Sequence, residues 1–191
     1  MNTVSFSAMA DGTEADYRLL DELQQTHVDG LPDRILSALQ GLTNSLDGYK
    51  IDRLQHSLQA ATRAEADGMD IEWIVAALIH DIGDDLAPLN HSQLAAALIR
   101  PYVRAEVTWV VDMHGLFQMV YYAEFLGEDP NGHDAYKDHP FYESCVRFCQ
   151  RWDQSSFDPD YPMQSLEHFA PMVREVFSRP AFDPKIIGEL P

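Results

Sequence analysis

The chain has 191 residues and a formal net charge of −18, from 13 basic and 31 acidic side chains. This charge argues against nucleic acid and anionic membranes as partners, because both present negative groups that need a basic surface. The length fits one domain, which we expect to span residues 1–191. No apolar run approaches the ~18 residues of a membrane span, and no basic, apolar leader opens the chain, so we expect a cytoplasmic protein.

Apolar residues recur at helical spacing along most of the chain, and turn-forming residues separate the periodic stretches. The spacing predicts helices over residues 14–27, 32–42, 51–66, 70–80, 92–99, 101–126, 141–153 and 165–177. Gly115 is expected to interrupt or kink the sixth of them. No stretch alternates with period two between hairpin turns. The sequence therefore predicts an all-α fold, a bundle of about eight helices.

The apolar stretch 73–83 carries an adjacent histidine and aspartate, His80 and Asp81. Two ionisable groups left without partners on a buried helix would cost roughly several kcal/mol, so a partner is expected. A metal ion is one such partner, because imidazole and carboxylate both bind hard or borderline cations. A hydrogen bond between the two side chains at a helix end is the alternative.

Four more ionisable residues are polar exceptions in apolar neighbourhoods, each on or beside a different predicted helix: His56, His91, His114 and Asp153. Side chains from several helices converge in the core of a bundle, where such proteins build metal sites. Four histidines and two carboxylates exceed what one ion with open positions needs, so the set predicts two ions. Asp81 has two oxygens and could bridge them.

The order His, His-Asp, His, His, Asp resembles that of the HD-domain superfamily, over roughly residues 51–158. Most members of that superfamily are phosphohydrolases of phosphomonoesters or nucleotides, and a smaller group are mixed-valent di-iron oxygenases. Gln59, three residues after the first histidine, resembles the oxygenase form. The short chain and the motif 151–153, followed by an Asp-Pro pair, resemble the phosphonate-degrading oxygenases, which include 2-amino-1-hydroxyethylphosphonate dioxygenase.

This resemblance implies the ligands, the cofactors and the reaction. The first iron would be held by His56, His80, Asp81 and Asp153. The second would be held by His91 and His114, with Asp81 as the bridge through which the di-iron centre acts. A mixed-valent Fe(II)/Fe(III) pair and O2 as co-substrate are implied. The implied reaction cleaves the C–P bond of a small phosphonate, (1R)-1-hydroxy-2-(trimethylammonio)ethylphosphonate, to glycine betaine and phosphate.

The chain departs from the 2-amino-1-hydroxyethylphosphonate enzyme at several expected substrate contacts. Asp84 stands where that enzyme has a histidine, and Gln118 where it has a lysine that helps to hold the phosphonate. Tyr49 and Asp52 are nearest to an altered Tyr-Glu pair, and Gln59 is a further predicted contact. Three basic residues are candidates to replace the missing lysine: Lys137, His139 and Arg151.

A trimethylammonium group donates no hydrogen bond, so its pocket is expected to use aromatic faces together with a carboxylate. Asp52 or Asp84 would supply the charge, and core packing is the alternative role of each aromatic residue. The aromatic candidates are Tyr49, Phe117, Tyr121, Tyr122 and Trp152.

Two other functions stay open at this point. An HD-type phosphohydrolase would act without O2, with Mn(II), Mg(II) or Zn(II), on a small phosphomonoester or a nucleotide. A helical binding module would bind its ligand even after His80 or Asp81 is replaced.

Overall fold

The structure, a computed structural model, describes residues 3–188. Within that range the chain forms ten α-helices and no strand, which confirms the predicted all-α fold. Two of the ten, α7 and α10, have only four residues and account for the difference from the expected eight. In chain order the helices are α1 (Glu14–Asp29), α2 (Leu31–Gly41), α3 (Arg53–Ala66), α4 (Ile71–Ile79), α5 (His91–Ile99), α6 (Ala105–Gln118), α7 (Ala123–Leu126), α8 (Tyr142–Phe148), α9 (Leu166–Phe177) and α10 (Pro184–Ile187).

Helix α4 lies in the centre of the core and contacts α3, α6 and α9. Its residues 73–79 are all buried, as expected for a helix that is apolar on every side. The side chain of Asp70 starts the helix by accepting the backbone N–H groups of Glu72 and Trp73, at 3.1 and 3.3 Å. Because α4 is fully enclosed, the two residues that follow it, His80 and Asp81, lie inside the bundle.

Helix α3 packs beside α4 and begins with a capping box. The Asp52 carboxylate accepts the backbone N–H of Gln55 at 2.7 Å, and the Gln55 side chain accepts the backbone N–H of Asp52 at 3.1 Å. The cap starts the helix at Arg53, two residues after the predicted start. It also places His56 within the first turns, on the face that meets α4.

Helix α8 continues into a single π turn, Cys149–Asp153. The backbone N–H of Gln154 donates to the carbonyl of Cys149 at 3.0 Å, which closes the wider turn. Trp152 and Asp153 both point into the core as a result. A helix of ordinary pitch would not place two successive side chains on the same buried face so readily.

Helix α6 differs from the predicted helix 101–126 both at its first residue and at Gly115. It begins at Ala105 rather than Pro101, because residues 100–103 form a turn after α5 in which Tyr102 N–H donates to Ile99 at 2.9 Å. Helix α6 runs through Gly115 without a break. A Cβ at Gly115 would lie 2.8 Å from the Ser92 hydroxyl, so the glycine allows α5 to approach closely. Among residues 3–188, no helix has the length and apolarity needed to cross a membrane.

Gly83 controls the distance between the His80-Asp81 pair and the start of α5. A Cβ at this position would lie 2.8 Å from the carbonyl oxygen and 2.9 Å from the Cα of His91. The backbone at His91 would have to move to make room, since these are main-chain atoms.

We therefore expect Gly83→Ala to lower the free energy of unfolding by about 1 to 3 kcal/mol, the usual cost of overpacking. Denaturant unfolding followed by circular dichroism measures this change. Gly41→Ala is the matched control, because nothing lies within 4 Å of a Cβ added at Gly41, at the end of α2. Equal stability of the two variants would contradict the close approach at Gly83.

Candidate metal centre

Four buried side chains from three parts of the fold meet at one point between α3, α4 and the π turn. The Nε2 atoms of His56 and His80 are 3.1 Å apart. Asp81 Oδ2 lies 3.2 Å from each of them, and Asp153 Oδ1 lies 3.3 Å from His56 and 3.6 Å from His80. We call these four residues the first group.

A second group shares one of these residues and opens towards α5 and α6. Asp81 Oδ1 lies 3.3 Å from His91 Nε2 and 3.3 Å from His114 Nε2. His114 is buried in α6, whereas the His91 side chain, on the first residue of α5, is 26% exposed. The two oxygens of Asp81 therefore face different groups, and the structure brings together all six residues singled out from the sequence.

Backbone carbonyls fix the orientation of three of the histidine rings. The Nδ1 atoms lie 2.7 to 2.9 Å from carbonyl oxygens, those of Ser156 for His56, Ala77 for His80 and Val111 for His114. A carbonyl can only accept, so each Nδ1 carries the hydrogen, and in a neutral ring Nε2 keeps its lone pair. Each lone pair then points to the centre, as in histidines that bind metals.

The donor atoms fit metal ions in number, type and spacing. Three combinations of His and Asp have ligand atoms within 4.8 Å of one another. Ligand atoms ~2.1 Å from one ion lie ~3.0 to 3.4 Å apart in octahedral or tetrahedral arrangements. In addition, Asp153 Oδ2 is buried without a hydrogen-bond partner among the described residues, a cost that a cation would remove. These buried His and Asp side chains can hold metal ions.

Without a bound cation, the charges of the four residues in the first group strongly shift one another's pKa values. Burial by itself lowers the pKa of His80, but the neighbouring Asp81 and Asp153 outweigh it and raise that pKa well above its ordinary value. The pKa of His56 is raised in the same way, against burial, by hydrogen bonds to Asp153 and Asp81. Burial would raise the pKa of both carboxyls, yet His80 in particular holds the pKa of Asp81 and of Asp153 well below the usual range. Protons and metal ions therefore compete for the same nitrogens.

This competition predicts a pH dependence of stability for protein treated with a chelator. A histidine whose pKa is raised by folding stabilises the native state fully below its unfolded pKa of about 6.5, and this contribution is lost as pH rises through the raised value. The lowered pKa values of Asp81 and Asp153 do not change the stability in this pH range, because the contribution of these carboxyl groups to stability varies only in acid. We expect the Tm of the chelated protein to fall as pH rises from about 6.5.

The metal-loaded protein is the control, since a bound cation replaces the protons and should flatten this dependence. Thermal unfolding at a series of pH values measures both forms. A Tm of the chelated protein that rises across the same window would contradict the assigned coupling.

A cavity of about 370 Å³ opens onto both groups. Its remaining wall combines aromatic rings with a few polar side chains, chiefly Tyr49, Arg53, Gln118, Tyr121, Tyr122 and Phe157. Arg53 is the only Lys or Arg side chain from residues 3–188 that lines it. A site of this size takes a small molecule rather than a macromolecule.

Three of the five aromatic candidates line this cavity, namely Tyr49, Tyr121 and Tyr122. Phe117 and Trp152 belong to the hydrophobic core instead, with 2% and 1% of their surface exposed, so core packing is their role. Phe157, which no sequence pattern singled out, also lines the cavity, and its ring stacks on His56 and on Tyr49 at centroid distances of 4.4 and 5.0 Å. Its one sequence signal is an apolar residue in a polar stretch just after Asp153.

Some of the predicted polar substrate contacts line the cavity, and others instead bond the backbone and stabilise the fold. Gln118 lines the cavity, but Asp52 does not, since its carboxylate caps α3. Gln59 does not line the cavity either: its side chain is buried and bonds the backbone of Asp158, donating to its carbonyl at 2.8 Å and accepting its N–H at 3.4 Å. Gln59 thereby anchors the loop that carries Phe157.

All three basic candidates for an anion contact lie outside the cavity. Each has a partner elsewhere. Lys137 is exposed and pairs with Asp134 at 2.8 Å. The ring of His139 stacks on Trp109 with centroids 4.0 Å apart. The guanidinium of Arg151 bonds both oxygens of Asp67, at 2.7 and 2.8 Å.

The charged residue that the sequence analysis missed is Arg53. Its side chain is 9% exposed, bonds Asp81 through Nη2, and bonds Asp84 through Nε at 2.6 Å. Asp84, a predicted substrate contact, does not itself line the cavity, and its other oxygen faces His91 Nδ1 at 3.5 Å. A signal existed, because a residue three positions before His56 shares its face of the helix.

The chain matches a known protein family. Residues 53–151, just over half of the chain, match the HD domain. The matched segment contains five of the six residues of the two groups and ends two positions before Asp153. No curated protein matches the chain.

Proposed function

The chain belongs to the HD-domain family, and from that premise we propose that it is a di-iron dioxygenase that cleaves the C–P bond of a small phosphonate. Family membership and the buried His and Asp groups together support a metal-dependent HD enzyme. One observation carries the proposal of two ions: Asp81 turns Oδ2 towards His56 and His80, and Oδ1 towards His91 and His114. A single shared carboxylate suits a bridged pair of cations.

The proposal assigns the first group to one iron and the second group to the other. Nitrogen and carboxylate oxygen donors suit iron, although other divalent metals accept the same set. When bound, a mixed-valent Fe(II)/Fe(III) pair would supply the redox chemistry with O2, which no side chain of the site can supply. The chain itself contributes the orientation of the rings, the bridging carboxylate and an enclosed cavity.

The aromatic wall supports a substrate with a quaternary ammonium group. Tyr121 and Tyr122 both line the cavity, and partial burial, followed by nearby groups that include Asp153, raises the pKa of each phenol. They therefore stay neutral and offer ring faces that attract a cation which cannot hydrogen-bond. Tyr49 is less available to the ammonium group, because the guanidinium of Arg53 already lies 5.4 Å from its ring centroid.

These features support (1R)-1-hydroxy-2-(trimethylammonio)ethylphosphonate as the substrate. Its products would be glycine betaine and phosphate. The reaction breaks the C1–H and C–P bonds, and the substrate gives four electrons to O2. One oxygen atom of O2 enters the carboxylate, the other enters phosphate, and the C1 and hydroxyl hydrogens leave as protons, so atoms and electrons balance. The side chains need only hold the substrate against the cations and exclude bulk water.

Metal content tests the assignment of the two groups. After anaerobic reconstitution with iron, we expect two ions per chain in the unaltered protein, about one in His91→Ala, and almost none in Asp81→Ala, because only Asp81 serves both groups. Inductively coupled plasma mass spectrometry measures the ratio. His27→Ala, at an exposed histidine of α1, is the matched control and should keep both ions. Two ions retained in Asp81→Ala would overturn the bridging assignment.

The reaction is tested with iron-reconstituted protein and 1-hydroxy-2-(trimethylammonio)ethylphosphonate, assayed for phosphate with and without O2. We expect phosphate and glycine betaine in equal amounts, and only when O2 is present. The Asp81→Ala protein should form neither, because it lacks the bridging carboxylate. Turnover of the 2-amino analogue alone would keep the reaction class and overturn the proposed head group.

The HD-type phosphohydrolase is the competing outcome of the same assay. Anaerobic release of phosphate from a phosphomonoester with Mn(II), Mg(II) or Zn(II) would overturn the oxygenase and identify a hydrolase. Ligand binding that is undiminished in Asp81→Ala, without turnover of either substrate, would instead identify a binding module.

A further inference from the structure

We infer that Arg53 binds the oxyanion group of the substrate and that Asp84 positions its guanidinium for this purpose. The inference deepens the proposed function, because it names the residue that would hold the phosphonate, and it rests on that proposal for the identity of the substrate. The chemistry it requires, recognition of a tetrahedral oxyanion, is shared by a phosphonate and by inorganic phosphate.

The distribution of positive charge around the cavity singles out Arg53. No other Lys or Arg side chain from residues 3–188 lines it. Arg63, on the same helix, is turned elsewhere: it donates to the carbonyl of Ser155 at 2.9 Å and its guanidinium lies 3.7 Å from the ring centroid of Tyr161. An anionic substrate that enters this cavity therefore meets one fixed organic cation.

The guanidinium is held by two of its three nitrogens. Nε donates to Asp84 at 2.6 Å and Nη2 donates to Asp81, whereas Nη1 makes no hydrogen bond with any residue in the range 3–188. Because the guanidinium group is planar and rigid, fixing two nitrogens also fixes the direction of the third. The free N–H donors of Arg53 are thus pre-oriented at the cavity wall, beside the carboxylate that both metal groups share.

The charges of the surrounding groups keep Arg53 ionised. A guanidinium stays protonated in proteins, and the carboxylates of Asp81 and Asp84 that it contacts stabilise this charge. Asp84 does not line the cavity, so it holds the cation without standing in the path of an anion. Cations held by Asp81 would take up part of the charge of that carboxylate, which leaves the charge of Arg53 less fully balanced and more available to an anion.

The placement also gives the cavity two chemically different regions. Arg53 supplies positive charge and hydrogen-bond donors, to which cations held by the two metal groups would add, whereas Tyr121 and Tyr122 supply aromatic surface. A charge-assisted hydrogen bond from a guanidinium suits phosphonate oxygens better than any contact available from the neutral Gln118. Arg53 therefore provides the anion contact that Lys137, His139 and Arg151 cannot reach.

Inorganic phosphate is the probe, and its affinity for iron-reconstituted protein is measured by isothermal titration calorimetry without O2. We expect Arg53→Gln to weaken phosphate binding about tenfold or more, the usual effect of losing a hydrogen bond to a charged group. Arg151→Gln is the matched control, since it makes the same replacement and removes the same charge at an exposed ion pair outside the cavity. We expect it to bind phosphate within about twofold of the unaltered protein.

Metal content is measured on each sample, because Arg53 also contacts Asp81. If Arg53→Gln loses iron, Arg53→Lys takes its place: lysine keeps the charge beside Asp81, but its single ammonium cannot span Asp81, Asp84 and an anion. We expect this variant to keep iron and to weaken phosphate binding about tenfold. Asp84→Asn should weaken phosphate binding by a smaller factor, because Arg53 keeps its charge and loses only the ion pair that positions its guanidinium.

A variant of Arg53 that keeps its iron and binds phosphate within twofold of the unaltered protein would overturn the inference. The result is independent of the oxygenase assay, since no turnover takes place without O2. Phosphate binding that depends on Arg53 in a protein that fails the O2 test would keep this oxyanion site and overturn the reaction class alone.

Discussion

A buried carboxylate, Asp81, is the constraint on which the rest of the site depends. An ionised carboxylate inside an apolar bundle costs far more free energy than the net stability of a domain allows, unless cations and hydrogen-bond donors surround it. The fold meets this demand on every side of Asp81. His56 and His80 face one oxygen, His91 and His114 face the other, and Arg53 contacts it from α3.

The backbone holds these partners in place through features that are local and rigid. Carbonyl groups near the end of α4, within α6 and in the loop after the π turn orient three imidazole rings. Gly83 lets the start of α5 approach, and the π turn directs Asp153 into the same space. Such a site changes little when a ligand arrives, since its donors are already oriented, which is the property expected of a catalytic metal centre.

Charged groups and aromatic surface contribute separately to the proposed function of this site. Arg53, together with cations that the two metal groups would hold, places positive charge beside a cavity whose wall is largely aromatic. The surface of the chain is strongly acidic, with a net charge of −18, so the field around the protein favours a molecule that carries a cationic group. The proposed substrate, a zwitterion with a phosphonate at one end and a quaternary ammonium at the other, would suit both the surface and the cavity.

The sequence by itself determined the helical class and the six metal-type residues, because helical periodicity and isolated polar residues in apolar stretches are local patterns. Six predicted substrate contacts do not line the cavity, since composition and motif position do not reveal which way a side chain points: Asp52, Gln59, Asp84, Lys137, His139 and Arg151. Only the tertiary structure decided that Phe157 and Arg53 face the cavity. The loop that carries Phe157 contacts His56 through Ser156, 100 residues away in the chain. Arg53 contacts Asp81 and Asp84, which are 28 and 31 residues away. Contacts at such separations arise from how helices pack, which no local pattern encodes.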